Sequence, residues 1–154
     1  LVDKIRAKVP DVSFTTDIIV GFPGETEEDF EETLDVVRKV DFEQVFMFIY
    51  SVRKGTVAEK MEDHIPEDVK SARFNRLKEL ADSMTAESIK KYVGTVQKVL
   101  VKGESKTNPD VLTGRTRSNK IVNFVGDKNL IGKEVDIEIT SEHVWYLKGN
   151  VVID

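Results

Sequence analysis

The sequence predicts an α/β segment followed by a small all-β barrel of the OB-like kind. Three observations predict it. Strand, helix and strand patterns follow one another between Ser13 and Ser51, and a long amphipathic stretch runs from Glu67 to Val93. After Thr95 come about five short alternating strands punctuated by Gly103, Gly114, Gly126, Gly132 and Gly149.

Each element has its own reason. Leu1, Val2, Ile5 and Val9 follow helical spacing with no capping residue before them, so the chain is expected to begin inside a helix and to be part of a longer protein. Charged and apolar residues alternate there, unlike the basic start and apolar run of a signal peptide. Ser13 to Phe22 is β-branched and ends apolar, which reads as a strand; Thr26 to Val40 repeats Phe30, Leu34 and Val37 at helical intervals. The run Val45-Phe46-Met47-Phe48-Ile49-Tyr50 is bulky and apolar at every position, the pattern of a strand covered on both faces of a parallel sheet. Strand, helix and strand in that order imply a right-handed βαβ unit. Val69, Leu77, Leu80, Ala81, Met84, Ile89 and Val93 then line a core-packing helix that ends at Gly94. The barrel strands are read at Val96–Val101, Val111–Thr113, Lys120–Val125, Glu134–Thr140 and Val144–Val152.

Composition narrows the chemistry. The 154 residues include no cysteine, which excludes a disulfide scaffold, a thiolate-held zinc or iron–sulfur site and a cysteine nucleophile within this chain. The longest apolar runs are strand-sized, far short of the roughly 20 residues of a membrane span. The formal charge of −5 is unevenly spread: residues 1–94 hold 14 basic and 20 acidic side chains, residues 95–154 hold 9 and 8. The near-neutral second part with a local basic cluster is the part that bears on nucleic acid.

Three motifs stand out. Gly21-Phe22-Pro23-Gly24-Glu25-Thr26 joins strand to helix with Pro and Gly where a type II turn needs them, and Thr26 with Asp29 forms an acidic capping box. This turn is at the carboxyl end of a parallel strand, where ligands sit in α/β folds; an efficient turn and cap is the equally weighted alternative. Tyr50-Ser51-Val52-Arg53-Lys54-Gly55-Thr56 ends the second strand on the same rim, where Arg53 is either a fork for a carboxylate or phosphate or a solvated loop cation. Asp17, inside the first strand, is a sheet-end ligand contact or a paired structural carboxylate. Gly114-Arg115-Thr116-Arg117-Ser118-Asn119-Lys120 sets three cations and an amide beside Phe124, a phosphate-contacting loop with an aromatic for a base, or a solvated hairpin. His64 and His143 lack the spacing of a zinc site or triad. Trp145 and Tyr146 are read as core or RNA-facing, one on each side of their strand.

In order, these pieces resemble the radical-SAM methylthiotransferases, most closely the tRNA-modifying MiaB type. The resemblance is carried by Thr16-Asp17-Ile18-Ile19-Val20-Gly21-Phe22-Pro23-Gly24-Glu25-Thr26 with Glu28-Asp29-Phe30, by Tyr50-Ser51-x-Arg53-x-Gly55-Thr56, and by Gly114-Arg115-Thr116-x-x-Asn119-Lys120-x-Val122-x-Phe124. It implies that residues 1–94 are the last βα units of a radical-SAM partial barrel and that residues 95–154 form a TRAM domain, an RNA-binding barrel. It implies S-adenosylmethionine and two [4Fe-4S] clusters in the whole enzyme, one on a CxxxCxxC motif, with the cluster cysteines in N-terminal domains upstream of this chain. The chain alone is then expected to be inactive. By position, Ile19, Val20, Gly21 and Glu25, with Ser51 and Arg53, are implied at the S-adenosylmethionine rim. Asp17 stands at the first Gly of the general GxIxGxxE pattern, and Glu25 falls one position late. Val52, Lys54 and Val57 stand where relatives often have Pro. Arg115, Arg117, Asn119, Lys120 and Phe124 are implied on RNA. The implied reaction is methylthiolation of isopentenyladenosine beside the anticodon, in a cytoplasmic enzyme whose partners are the tRNA anticodon stem-loop and its own missing domains, with no membrane. The branches acting on threonylcarbamoyladenosine or on a ribosomal-protein aspartate, and a plain RNA-binding module without catalysis, remain the alternatives.

Overall fold

The strand–helix–strand order is present in the computed structural model, which describes residues 1–106 and 108–152. Residues 107, 153 and 154, read above as part of the barrel, lie outside the described residues. The chain divides into two units, residues 1–85 and 86–154.

The first unit opens with a short helix α1 (Val2–Arg6), followed by β1 (Thr15–Val20), α2 (Glu27–Val40) and β2 (Gln44–Ile49). The third and longest helix is α3 (Glu67–Lys90), whose residues up to Thr85 belong to this unit. α2 starts where its cap dictates: the Thr26 side chain accepts from Asp29 N–H at 3.1 Å, and the Asp29 carboxylate accepts from Thr26 N–H at 2.9 Å. β1 and β2 pair in parallel, with Asp17 opposite Phe46 and Ile19 opposite Phe48. Pleating sends alternate residues to opposite faces. Ile18, Val20, Val45 and Met47 pack with Phe30, Leu34 and Val37 of α2 and Leu77 of α3 to form the core. The other face is open. Ile19 is 56% exposed, Phe46 44% and Phe48 52%. This corrects the expectation of strands covered on both faces: α2 and α3 both contribute to the core cluster on one face, and no described element of the unit covers the other.

The second unit is a closed five-stranded barrel in the order β3-β4-β5-β7-β6. Its strands are β3 (Val96–Ser105), β4 (Asn108–Thr116), β5 (Ile121–Val125), β6 (Glu134–His143) and β7 (Tyr146–Val151). All neighbours run antiparallel except β5 and β7, which are parallel. The core is Val99, Val101, Leu112, Val122, Phe124, Ile137, Ile139 and Leu147. Ile89, near the end of α3, is buried with them, and Tyr92 packs against them. That packing places the division between units ahead of Gly94, where composition changes. α3 itself stops at Lys90, and a hydrogen-bonded turn leads to Gly94 at φ +80°.

The barrel closes tightly at its glycines. A Cβ on Gly149 would lie 2.4 Å from the Glu138 carbonyl oxygen, and one on Gly114 2.5 Å from Val99 Cγ1. Only a residue without a side chain fits there.

Candidate functional site

The first candidate site is built at the carboxyl ends of β1 and β2. Glu25 N–H donates to the Phe22 carbonyl at 2.9 Å, closing the predicted turn with Pro23 and Gly24 at its centre and Gly24 at φ +83°. Gly24 N–H donates to the Asp63 carbonyl at 2.8 Å. Gly21, at φ +77°, donates its N–H to Glu25 Oε2 at 2.9 Å. The same oxygen accepts from Arg73 Nη1 at 2.8 Å, and Arg73 also donates to the Glu25 carbonyl at 2.9 Å and to Glu27 Oε2 at 3.2 Å. Arg73 and Lys70 are both buried, on one stripe of α3 with Leu77 and Ala81. Lys70 Nζ donates to the Tyr50 carbonyl at 3.3 Å, and its stem fills the space where a Gly21 side chain would go. Two buried cations of α3 thus brace both strand ends. The Arg76 hydrogen bond, then the one from Arg73, holds the Glu27 carboxyl below the usual carboxylate range, and Thr26 does the same for Asp29.

The loop after β2 folds on itself. Thr56 Oγ1 donates to the Arg53 carbonyl at 2.8 Å and accepts from Glu59 N–H at 3.2 Å, while Gly55 N–H donates to Glu59 Oε2 at 2.7 Å. This folding leaves the Arg53 guanidinium without an acidic partner among the described residues.

Between these loops and the open sheet face lies a cavity of about 590 Å³ lined mainly by apolar atoms, with Ile19, Phe22, Phe48, Tyr50, Ser51 and Arg53 on its walls. That is the size range of small-molecule sites. Phe22 meets Tyr50 edge-on at 5.2 Å between ring centroids, and His64 stacks on Tyr50 at 6.3 Å. The Tyr50 hydroxyl is buried with no hydrogen-bond partner among the described residues. A buried hydroxyl without a partner is costly, and Tyr50 is also one of the residues that line the cavity. The walls suit a flat, mostly apolar ring carrying a few polar groups and a carboxylate or phosphate for Arg53.

Of the six residues expected at a cofactor rim, Ile19, Ser51 and Arg53 line this cavity. Val20 is fully buried in the core, Gly21 is packed on Lys70, and the Glu25 carboxylate braces the turn. Asp17 is exposed on the open face. Lys70 and Arg73 were not singled out by sequence, although their three-residue spacing in register with Leu77 puts two cations on the helix's buried stripe.

The second candidate site is the basic hairpin of the barrel. Gly114, Arg115 and Thr116 are in β4, so the loop itself is only Arg117 to Lys120. Arg115 Nη1 donates to the Asn119 carbonyl at 2.8 Å and to Asn119 Oδ1 at 3.1 Å, latching a turn in which Asn119 is at φ +66°. Buried Thr116 accepts from Lys120 N–H through Oγ1 at 3.0 Å. Arg117 is exposed and pairs loosely with Glu134 at 3.3 Å, a contact of little energy.

Phe124, expected on RNA, faces the core instead. It is 2% exposed, inside the barrel with Val122, and cannot stack on a base. The alternation of Val122 and Phe124 against Asn123 and Val125 carried that signal. Among the described barrel residues the exposed large aromatic is Trp145, 71% exposed. Val144 and Trp145 form the turn between β6 and β7, so neither the core nor two strand faces divide Trp145 from Tyr146 as expected; the Tyr146 ring instead stacks on His143 at 4.5 Å.

Among the described residues no group of three His, Asp or Glu side chains assembles, and the chain has no cysteine, so these residues do not fit an iron–sulfur cluster. No helix among them is long and apolar enough to cross a membrane.

Residues 90–152 match the TRAM domain family. The chain is 55% identical over 152 residues, 99% of its length, to a protein of Geobacillus kaustophilus named tRNA-2-methylthio-N(6)-dimethylallyladenosine synthase. Proteins of the same name from Bacillus cytotoxicus and Acetivibrio thermocellus are 55% and 53% identical over 99% of the chain. The chain spans 29%, 30% and 32% of the length of these curated relatives.

Proposed function

We propose that this chain, which carries a TRAM domain and is homologous along its whole length to part of the tRNA-2-methylthio-N(6)-dimethylallyladenosine synthases, is the RNA-docking and cofactor-rim portion of a cytoplasmic tRNA methylthiotransferase. Residues 1–94 are read as closing βα units of a radical-SAM barrel and residues 95–154 as its RNA-binding domain. The open apolar face of β1 and β2 supports this, because parallel strands are found covered on both faces and a barrel interior would supply the second cover.

The single observation that carries the reading is the cavity beside that face, with Ser51 and Arg53 among its lining residues. S-adenosylmethionine would suit such walls; reduced by one electron from a cluster held elsewhere in the protein it would give methionine and a 5′-deoxyadenosyl radical, the methyl group coming from a second S-adenosylmethionine. Ile19, Phe22 and Phe48 would flank the adenine, Ser51 would offer a hydroxyl, and Arg53 would take the carboxylate. Arg73, Glu25 and Lys70 act on the backbone that carries these groups and are positioning residues. Cluster ligands come from elsewhere in the protein. Arg115, Arg117, Asn119 and Lys120 are the RNA side of the same reading: Arg117 and Lys120 as phosphate contacts, Arg115 and Asn119 as the latch that shapes their loop.

The test is a full-length gene carrying Ser51→Ala and Arg53→Ala, returned to cells lacking it. The expected result is tRNA with less of the 2-methylthio nucleoside and more of its dimethylallyladenosine precursor, with tRNA binding by the purified variant retained. Unchanged methylthio content overturns the assignment of the cavity.

A further inference from the structure

We infer that the β6–β7 hairpin tip is a nucleobase-stacking element, with Trp145 as the surface on which an unpaired base of RNA lies. The inference rests on the RNA-binding reading of the barrel and adds to it a residue and a mode of contact. The last pair of the hairpin is His143 opposite Tyr146, leaving Val144 and Trp145 as the turn. The rings of His143 and Tyr146 stack at 4.5 Å with 16° between their planes, which clamps the hairpin just behind its tip. Trp145 and Val144 project beyond the clamp, 71% and 65% exposed. No other ring or cation among the described residues packs on the indole. Large aromatics dominate the energetics of cores and interfaces, and an indole held out to solvent on a braced turn retains that contact for a partner.

The register shows what kind of partner. β5 and β7 are parallel neighbours with Val122 opposite Leu147 and Asn123 opposite Lys148. Two residues before the first of these pairs stand Lys120 and Trp145, on chains about 4.8 Å apart where they pair. The basic β4–β5 loop and the aromatic tip are therefore side by side at one end of the barrel. Cations next to an exposed aromatic form the combination that binds single-stranded nucleic acid, phosphates on the former and a base on the latter. Glu134 and Glu142 lie among these groups, Glu134 paired to Arg117, which limits the phosphate attraction and leaves stacking the larger share. RNA is favoured over DNA here only through the RNA-binding reading on which the inference rests.

Trp145 is the single tryptophan of the chain, so its fluorescence reports directly on the tip. The chain is titrated with a single-stranded oligoribonucleotide of about ten nucleotides, the scale of an OB-type site, and with a blunt RNA duplex of equal length. Saturable quenching by the single strand, weakened by salt, and little response to the duplex are expected. Trp145→Ala, read by anisotropy of a labelled oligonucleotide, weakens binding about tenfold or more, and Trp145→Phe restores most of it. Arg115→Ala with Arg117→Ala weakens single strand and duplex alike. Binding without quenching, with Trp145→Ala equal to the parent chain, overturns the stacking element while the RNA-binding reading stands. No binding of either RNA overturns both. Fluorescence that falls with protein concentration in the absence of RNA assigns the tip to a second copy and likewise overturns the inference.

Discussion

Replacing Arg73 by Met isolates the brace that shapes the first site. The Arg73 side chain is 7% exposed and that of Glu25 13%, so the pair is desolvated and the loss of one partner strands the other. Breaking such a pair costs about 3–5 kcal/mol, and the lower end applies because Glu25 keeps the Gly21 N–H. About 3 kcal/mol lowers the melting temperature of a unit of this size by on the order of 10–20 °C. Glu25→Gln alone removes the charge but keeps an acceptor and costs about 1–2 kcal/mol. In the double variant no charge is left unpaired, so the two costs combine to less than their sum by about 1 kcal/mol or more. The assay is thermal unfolding of the chain followed by far-ultraviolet dichroism, together with hydrogen exchange at the Gly21 amide, which speeds up when Glu25 loses its anchor. A single-variant cost under about 0.5 kcal/mol, or additive costs with unchanged Gly21 exchange, refutes the brace.

Three further outcomes are expected. Phe124→Ala costs about 3–5 kcal/mol of barrel stability because it empties a core position, yet leaves the RNA affinity of the folded protein unchanged; calorimetry and a binding titration read the two separately. Gly149→Ala drives a Cβ to 2.4 Å from the Glu138 carbonyl oxygen and destabilises the barrel by about 1–3 kcal/mol, measured by urea unfolding, whereas Gly103→Ala meets nothing within 4 Å and is tolerated. The Asp29 carboxyl is lowered in the folded state by Thr26, so its stabilisation is fully present above the unfolded value of about 3.9 and is lost as pH falls through the lowered folded value. The destabilisation by Asp29→Asn, taken from urea midpoints, is therefore expected near neutral pH and to shrink in that acid window.

Much of the architecture was legible because local chemistry and tertiary packing agree. The Pro23-Gly24 turn, the Thr26–Asp29 cap and the Phe30, Leu34, Val37 stripe all produce the α2 start and face that they predict. Five alternating strands with glycines at their close approaches do the same for the barrel. What failed was placement relative to other elements. An all-apolar strand indicates two covered faces, but Phe46 and Phe48 are open within the described residues. The motif around Arg115 points to Phe124 as its aromatic, which alternation sends inward; Trp145, which sequence leaves open between core and RNA-facing, is exposed, and strand pairing brings it to the same barrel end. Lys70 and Arg73 looked like the charged face of a helix; only the packing of α3 shows them buried, with strand-end carbonyls and Glu25 as partners.

The most direct measurement is nucleoside analysis of tRNA from cells deleted for the gene that encodes this chain. Loss of the 2-methylthio group with accumulation of dimethylallyladenosine, reversed by the intact gene and not by one carrying Ser51→Ala and Arg53→Ala, is the predicted result. Unchanged 2-methylthio content in the deleted cells would contradict the proposed function.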